Sequence, residues 1–137
     1  MGAVNHECYV SLEVAKLLKE SGFDWEVNHS YPNISALDNS CSGYMEDLSF
    51  YHNLNDGKYG GLSVPTLEVA QRWLREVKDV DIMIRIDYHY GEHYSKAYCG
   101  TFYVGDELHA TEHFKTYEAA QEAGIKKAIE ILLKEGE

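Results

Sequence analysis

A chain of 137 residues is the size of one ordinary domain, long enough to bury a core without disulfides or a structural metal. Its formal net charge of −11 is the wrong sign for gripping phosphates, which are bound by counterion release at Lys and Arg, so direct nucleic-acid binding is not expected and a basic protein is the natural electrostatic partner. No apolar run approaches the roughly 20 residues that cross a bilayer, no signal-peptide pattern opens the chain, and Cys8, Cys41 and Cys99 are widely spaced and odd in number, which together predict a cytoplasmic protein with reduced thiols and no membrane association.

Ser11 is a good N-cap for a helix running to about Glu20, whose Leu12, Ala15 and Leu18 with Val14 and Leu17 make an apolar face. Ser21-Gly22 closes it, and Phe23 can fold back on its last turn. From 24 to 64 the pattern weakens. Trp25 and Val27, and later Leu48 and Phe50, alternate with polar residues over short spans, which predicts one or two brief strands. This region is acidic: from Glu20 to Asp56 there are seven acids and no Lys or Arg, so it offers a surface for a basic partner. Four of the chain's eleven tyrosines, Tyr31, Tyr44, Tyr51 and Tyr59, lie here, and tyrosine supplies rigid contact area at interfaces.

In VPTLEVAQRWLREV, Thr66 is an N-cap and Ala70, Trp73, Leu74 and Val77 recur at helical spacing, predicting a helix over 66–78. DIMIRIDYHY follows, with Ile82, Ile84, Ile86, Tyr88 and Tyr90 alternating against Met83, Arg85, Asp87 and His89: a strand with one buried face. Further strands are expected at about 96–104 and 108–114. Matching their apolar faces pairs Tyr90 with Lys96 and Val104 with Leu108, leaving loops of five and three residues. Thr116 then caps a long helix to about Lys134, whose Ala120, Gly124 and Ala128 form a small-residue stripe for close packing. The expected fold is a single α+β domain over 1–137: an antiparallel sheet of three to five strands with the two main helices on one face, an α-β-β-β-α core at 66–134, plus the N-terminal helix.

His89, Glu92 and His93 match the H-x-x-E-H pattern of one group of zinc peptidases. That chemistry needs a helix to aim both imidazoles at one ion, whereas this segment enters from a strand and contains Gly91, so a solvated hairpin tip is the expectation. His109 and His113 fall on the polar sheet face with His89, but the outer strands of a meander are about 9–10 Å apart, which makes a shared ion among His89, His93 and His109 strained. Cys99 lies opposite His113 in the expected register. A thiol nucleophile with a histidine base is thereby permitted, with no orienting third residue in view. Asp38 to Gly43 has the alternating oxygen side chains of a calcium loop, but Ser49 stands where the bidentate glutamate belongs.

The order helix, three strands, helix over 66–134 is similar to that of the double-stranded RNA-binding domain. The lysine-rich start of that family's final helix is replaced here by Lys115-Thr116-Tyr117-Glu118 with Gln121 and Glu122, so RNA binding does not carry over. CYVSLEVAKLLKESGF, VPTLEVAQRWLREV and YEAAQEAGIKKAIEIL, about a third of the chain, resemble uncharacterised frames of prophages and mobile elements of gut Bacteroidales. That resemblance implies a cytoplasmic accessory protein and assigns no catalytic residue.

The functional expectation is thus a non-enzymatic, acidic, protein-binding module without a cofactor, contacting its partner through Tyr44, Tyr51 and Tyr59 or through a polar sheet face carrying Arg85, His89 and His109. The alternative is a small metal-dependent or thiol hydrolase, with Glu92, Cys99 and His113 as catalytic groups and His89, His93 and His109 as metal ligands.

Overall fold

A computed structural model describes residues 8–31, 46–55, 61–90 and 95–136. Helix α1 (Leu12–Glu20) is capped by the Ser11 hydroxyl, which accepts from the Val14 N–H at 3.2 Å. It ends at Gly22, whose φ of +94° only glycine adopts readily. The chain then turns inward: the Phe23 N–H donates to the Leu18 carbonyl and its ring packs edge-on to Trp73, centroids 5.4 Å apart. Strand β1 (Val27–Tyr31) lies between β2 (Glu46–His52) and β3 (Leu62–Ser63), antiparallel to both. Helix α2 (Leu67–Val77) is capped by Thr66 and buries Ala70, Trp73 and Leu74, while Val77, in its last turn, stays half-exposed.

A second antiparallel sheet, ordered β4-β5-β6, is formed by Met83–Tyr90, Ser95–Val104 and Glu107–Ala110, and is followed by α3 (Tyr117–Glu135). The fold is therefore α+β, and the strands divide into two three-stranded sheets where the sequence suggested one. Ile82, Phe102, Ile125 and Ile129 join Leu18, Phe23, Trp73 and Leu74 in one hydrophobic core that all three helices share. Gln121 is also buried, and its amide is satisfied: Nε2 donates to Gln71 Oε1 at 2.7 Å, and Gln71 in turn donates to the Ile82 carbonyl at 2.7 Å. That chain of bonds ties α3 to α2 and to the start of β4. The lysine-poor helix start thus puts Gln121 into the interior.

The predicted registers are corrected in two places. Between β4 and β5 the body of the ladder pairs Ile84 with Gly100 and Ile86 with Tyr98, two residues away from the expected register, and a bulge follows Asp87. A shift of two preserves the faces. It places Gly100 beneath α3, where an added Cβ would lie 3.2 Å from the Ala120 carbonyl and 3.4 Å from Gly124 Cα. Because α3 crosses there, the far end of the same strand face is uncovered: Ile86 and Tyr88, expected inside, are 42% and 65% exposed.

Between β5 and β6 the turn has two residues, not three. Val104 pairs with Glu107 around Gly105-Asp106, and Gly105 takes φ +61°, as the first position of a type II′ hairpin turn requires. This one-residue shift reverses the faces of β6. Leu108 goes outward and is 56% exposed, and His109 turns toward the helix side.

The small-residue stripe has the role its spacing suggests. A Cβ at Gly124 would meet Ile82 Cγ2 at 2.9 Å, closer than carbon atoms tolerate. Gly124→Ala gains about 1 kcal/mol of helix propensity and incurs about 1–3 kcal/mol of overpacking, so urea unfolding is expected to show a net loss near 1 kcal/mol. A variant more stable than the parent would show that α3 can lift off the sheet at no cost.

Candidate functional site

The outer face of the β4-β5-β6 sheet, opposite α3, has two unlike ends. One end holds Met83 beside Thr101 and Ala110, with Tyr103 beside Leu108 in the next row. The other end holds Arg85 opposite Cys99 and Asp87 opposite Ala97. His113 joins this second group through an irregularity after β6. The Gly100 N–H donates to the Thr111 hydroxyl, and Tyr98 then exchanges backbone bonds with Phe114, so Glu112 and His113 together stand opposite Cys99. This bulge restores the facing that the short turn had reversed.

Asp87 Oδ2 lies 2.5 Å from His113 Nε2, and Arg85 grips the same carboxylate in a fork, Nη2 to Oδ2 and Nε to Oδ1 both at 3.2 Å. Asp87 and His113 sit on either side of β5. They meet because the side chains beneath them, Ala97 and Cys99, are small, and this roof explains why both are buried although they lie on the outer face. The His113 hydrogen bond, and after it Arg85, hold the Asp87 carboxyl below the ordinary carboxylate range against the opposing effect of burial. Arg85 is held above its ordinary value, chiefly by its bond to Asp87 and next by Cys99.

One donor atom each from Asp87, Cys99 and His113 lie within 4.8 Å of one another. Carboxylate, thiol and imidazole are a set that divalent transition metals accept. Cys99 and His113, expected to face each other, do so, and the orienting group that the sequence did not supply is Asp87. Its signal was present: Asp87 is two residues beyond Arg85 on one strand face. The expected register already sets Asp87 opposite Cys99, in the row of His113; the observed one sets it opposite Ala97, over which it reaches His113.

His109 does not share the face of Arg85 and His113; its ring stacks on Phe102, centroids 5.4 Å apart, and its Nε2 is 3.7 Å from Glu107. His89 lies in β4, whereas Glu92, His93, Tyr44 and Tyr59 fall outside the described residues, as do Cys41 and most of the calcium-like loop. Tyr51, in β2, is 67% exposed on the other sheet. Arg85 is exposed. No protein-family model, curated protein or solved structure matches this chain significantly. Among the described residues no helix is long and apolar enough to cross a membrane.

A carboxyl whose folded pKa is depressed contributes stability above its unfolded value, near about 4, and loses it as pH falls through the folded value. Asp87→Asn is expected to be less stable than the parent near neutrality and to converge with it in strong acid. Urea unfolding at a series of pH values, with chelator present, measures the gap; a gap of constant size across that series would mean that the Asp87 charge contributes nothing.

Proposed function

We propose that this protein is a non-enzymatic, acidic binding module, an accessory protein of the kind that the mobile-element resemblance implies, and that it docks a basic protein on the outer face of the β4-β5-β6 sheet. One observation carries this reading. Met83, Tyr103 and Leu108, on three neighbouring strands, are each more than half exposed, at 56%, 53% and 56%, where an uncovered sheet face ordinarily shows polar residues. An aromatic, a methionine and a leucine in one patch have the composition of an interface centre. Exposed acids adjoin it along the chain: Asp81 before β4, Asp106 in the β5-β6 turn and Glu112 after β6. With the net charge of −11, they favour a partner whose apolar contact is flanked by Lys or Arg.

The hydrolase alternative has less support. A thiol nucleophile must meet its substrate, and Cys99 is 1% exposed beneath Arg85, Asp87 and His113. Two surface concavities among the described residues lie away from it. One runs along α1, and another of about 300 Å³ lies between the starts of α2 and α3, where Glu68 and Glu118 contribute to its walls.

A photo-crosslinker placed at Thr101, in the Met83 row of the patch, tests the reading in lysate of the cell that carries the gene. The expected product is a basic protein whose affinity falls as salt rises and is reduced about tenfold or more by Tyr103→Asp with Leu108→Asp, the size expected when interface anchors are lost. Products that are acidic, insensitive to salt or unaffected by the double variant would overturn it, once circular dichroism shows that variant folded.

A further inference from the structure

We infer that Asp87, Cys99 and His113 form a binding site for one divalent transition-metal ion, zinc by donor preference. This assignment is independent of the docking reading, which involves the other end of the sheet face. The three donors come from β4, β5 and the segment after β6, and their ligand atoms already lie within 4.8 Å of one another. Donors on one tetrahedral zinc stand ~3.4–3.6 Å apart, given bonds of ~2.0–2.3 Å. Asp87 and His113, at 2.5 Å, are closer than that and must part by about an ångström, a side-chain movement on the half-exposed roof of the cluster.

The chemistry of the group supports the assignment beyond distance. A thiol, an imidazole and a carboxylate together are uncommon on a solvated sheet face, and the softest of the three is the one held inside: Cys99 is 1% exposed, while the side chains of Asp87 and His113 are 31% and 24% exposed. Water therefore reaches the site from the Asp87 and His113 side, which leaves a coordination position open beyond the three protein donors. Thiolate and carboxylate would balance a dication; on binding, the Cys99 thiol would release its proton to solvent and the ion would replace the Asp87–His113 hydrogen bond. Arg85 is the opposing group, since its guanidinium bonds Asp87 and adjoins Cys99. With its side chain 57% exposed, it can release the carboxylate into water.

Cobalt(II) titration of the full chain, stripped with chelator and carrying Cys8→Ser and Cys41→Ser, reads the site directly. A thiolate-to-cobalt charge-transfer band that saturates at one equivalent and is displaced by zinc is expected. Zinc is also expected to raise the melting temperature. Asp87→Asn, which keeps the shape but exchanges one acceptor oxygen for an amide donor, should weaken binding at least about tenfold. His113→Gln should do the same, and Arg85→Gln should tighten binding several-fold by removing a like charge, an effect that a merely structural role for these residues would not produce. Absence of the charge-transfer band in the folded protein, or wild-type affinity in folded Asp87→Asn, would overturn the assignment. Because Cys99 is buried, Cys99→Ser is kept as a confirming variant, and the surface variants decide the matter if it fails to fold.

Discussion

Neither Gly100 nor Gly124 has room for a side chain where α3 crosses β5, and most of the molecule's asymmetry follows from that contact. A helix normally stands off a sheet by the depth of the intervening side chains. Here backbone meets backbone over one turn, so the helix presses Ile82 and Phe102 into the shared core. A helix held that close covers little width. It shields the middle of the inner face, leaves Ile86 and Tyr88 in water, and gives the outer face no cover. The glycines act as a pair: a Cβ at Gly100 would press on the Ala120 carbonyl by a few tenths of an ångström, and one at Gly124 would displace the Ile82 side chain.

The elements with strong local signals were legible in the sequence. All three N-caps, Ser11, Thr66 and Thr116, accept from backbone N–H groups three residues on, because capping depends on neighbours in the chain. The strand rhythm of Ile82 to Tyr88 was equally plain, since it is set by the backbone alone. What could not be read was anything that depends on how two segments slide past each other. Pairing Val104 with Leu108 kept every apolar residue inside, a sound rule for a sheet covered by helices along its whole length. The chain instead follows the turn chemistry of Gly105-Asp106, and Leu108 is left in water as the consequence. At a short edge strand, one well-formed turn outweighed the burial of one leucine.

The bulge after β6 separates the fates of the two histidines. Before it, the short turn has reversed the facing, and His109 stacks on Phe102; after it, the facing is restored, and His113 meets Asp87. Outer strands about 9–10 Å apart make a shared ion strained, and the side chains of the middle strand decide whether groups can meet across it. With Ala97 and Cys99 beneath, it is a shallow floor, and an imidazole and a carboxylate can close over it. The candidate site is therefore created by small residues on β5 as much as by the polar ones on its neighbours, and a scan for ligand types in the sequence does not weigh small residues at all.

The two ends of the outer face differ in how they are satisfied. At the polar end Arg85 and His113 share Asp87, and Cys99 is buried beneath the three. Such a cluster is stable as it stands, so its capacity for a metal is an exchange of one set of bonds for another, with a modest net gain that falls as acid protonates the donors. At the apolar end nothing is exchanged, because Met83, Tyr103 and Leu108 make no compensating contact in water and gain only when another surface covers them. The ends are joined by Thr101 and Cys99 on one strand. An ion that drew Asp87, Cys99 and His113 together would tie β4 to the segment after β6 across β5, and so stiffen the strands that present the apolar patch. Rigid presentation lowers the ordering cost of docking, which is the physical route by which the two sites, separate in chemistry, would influence one another.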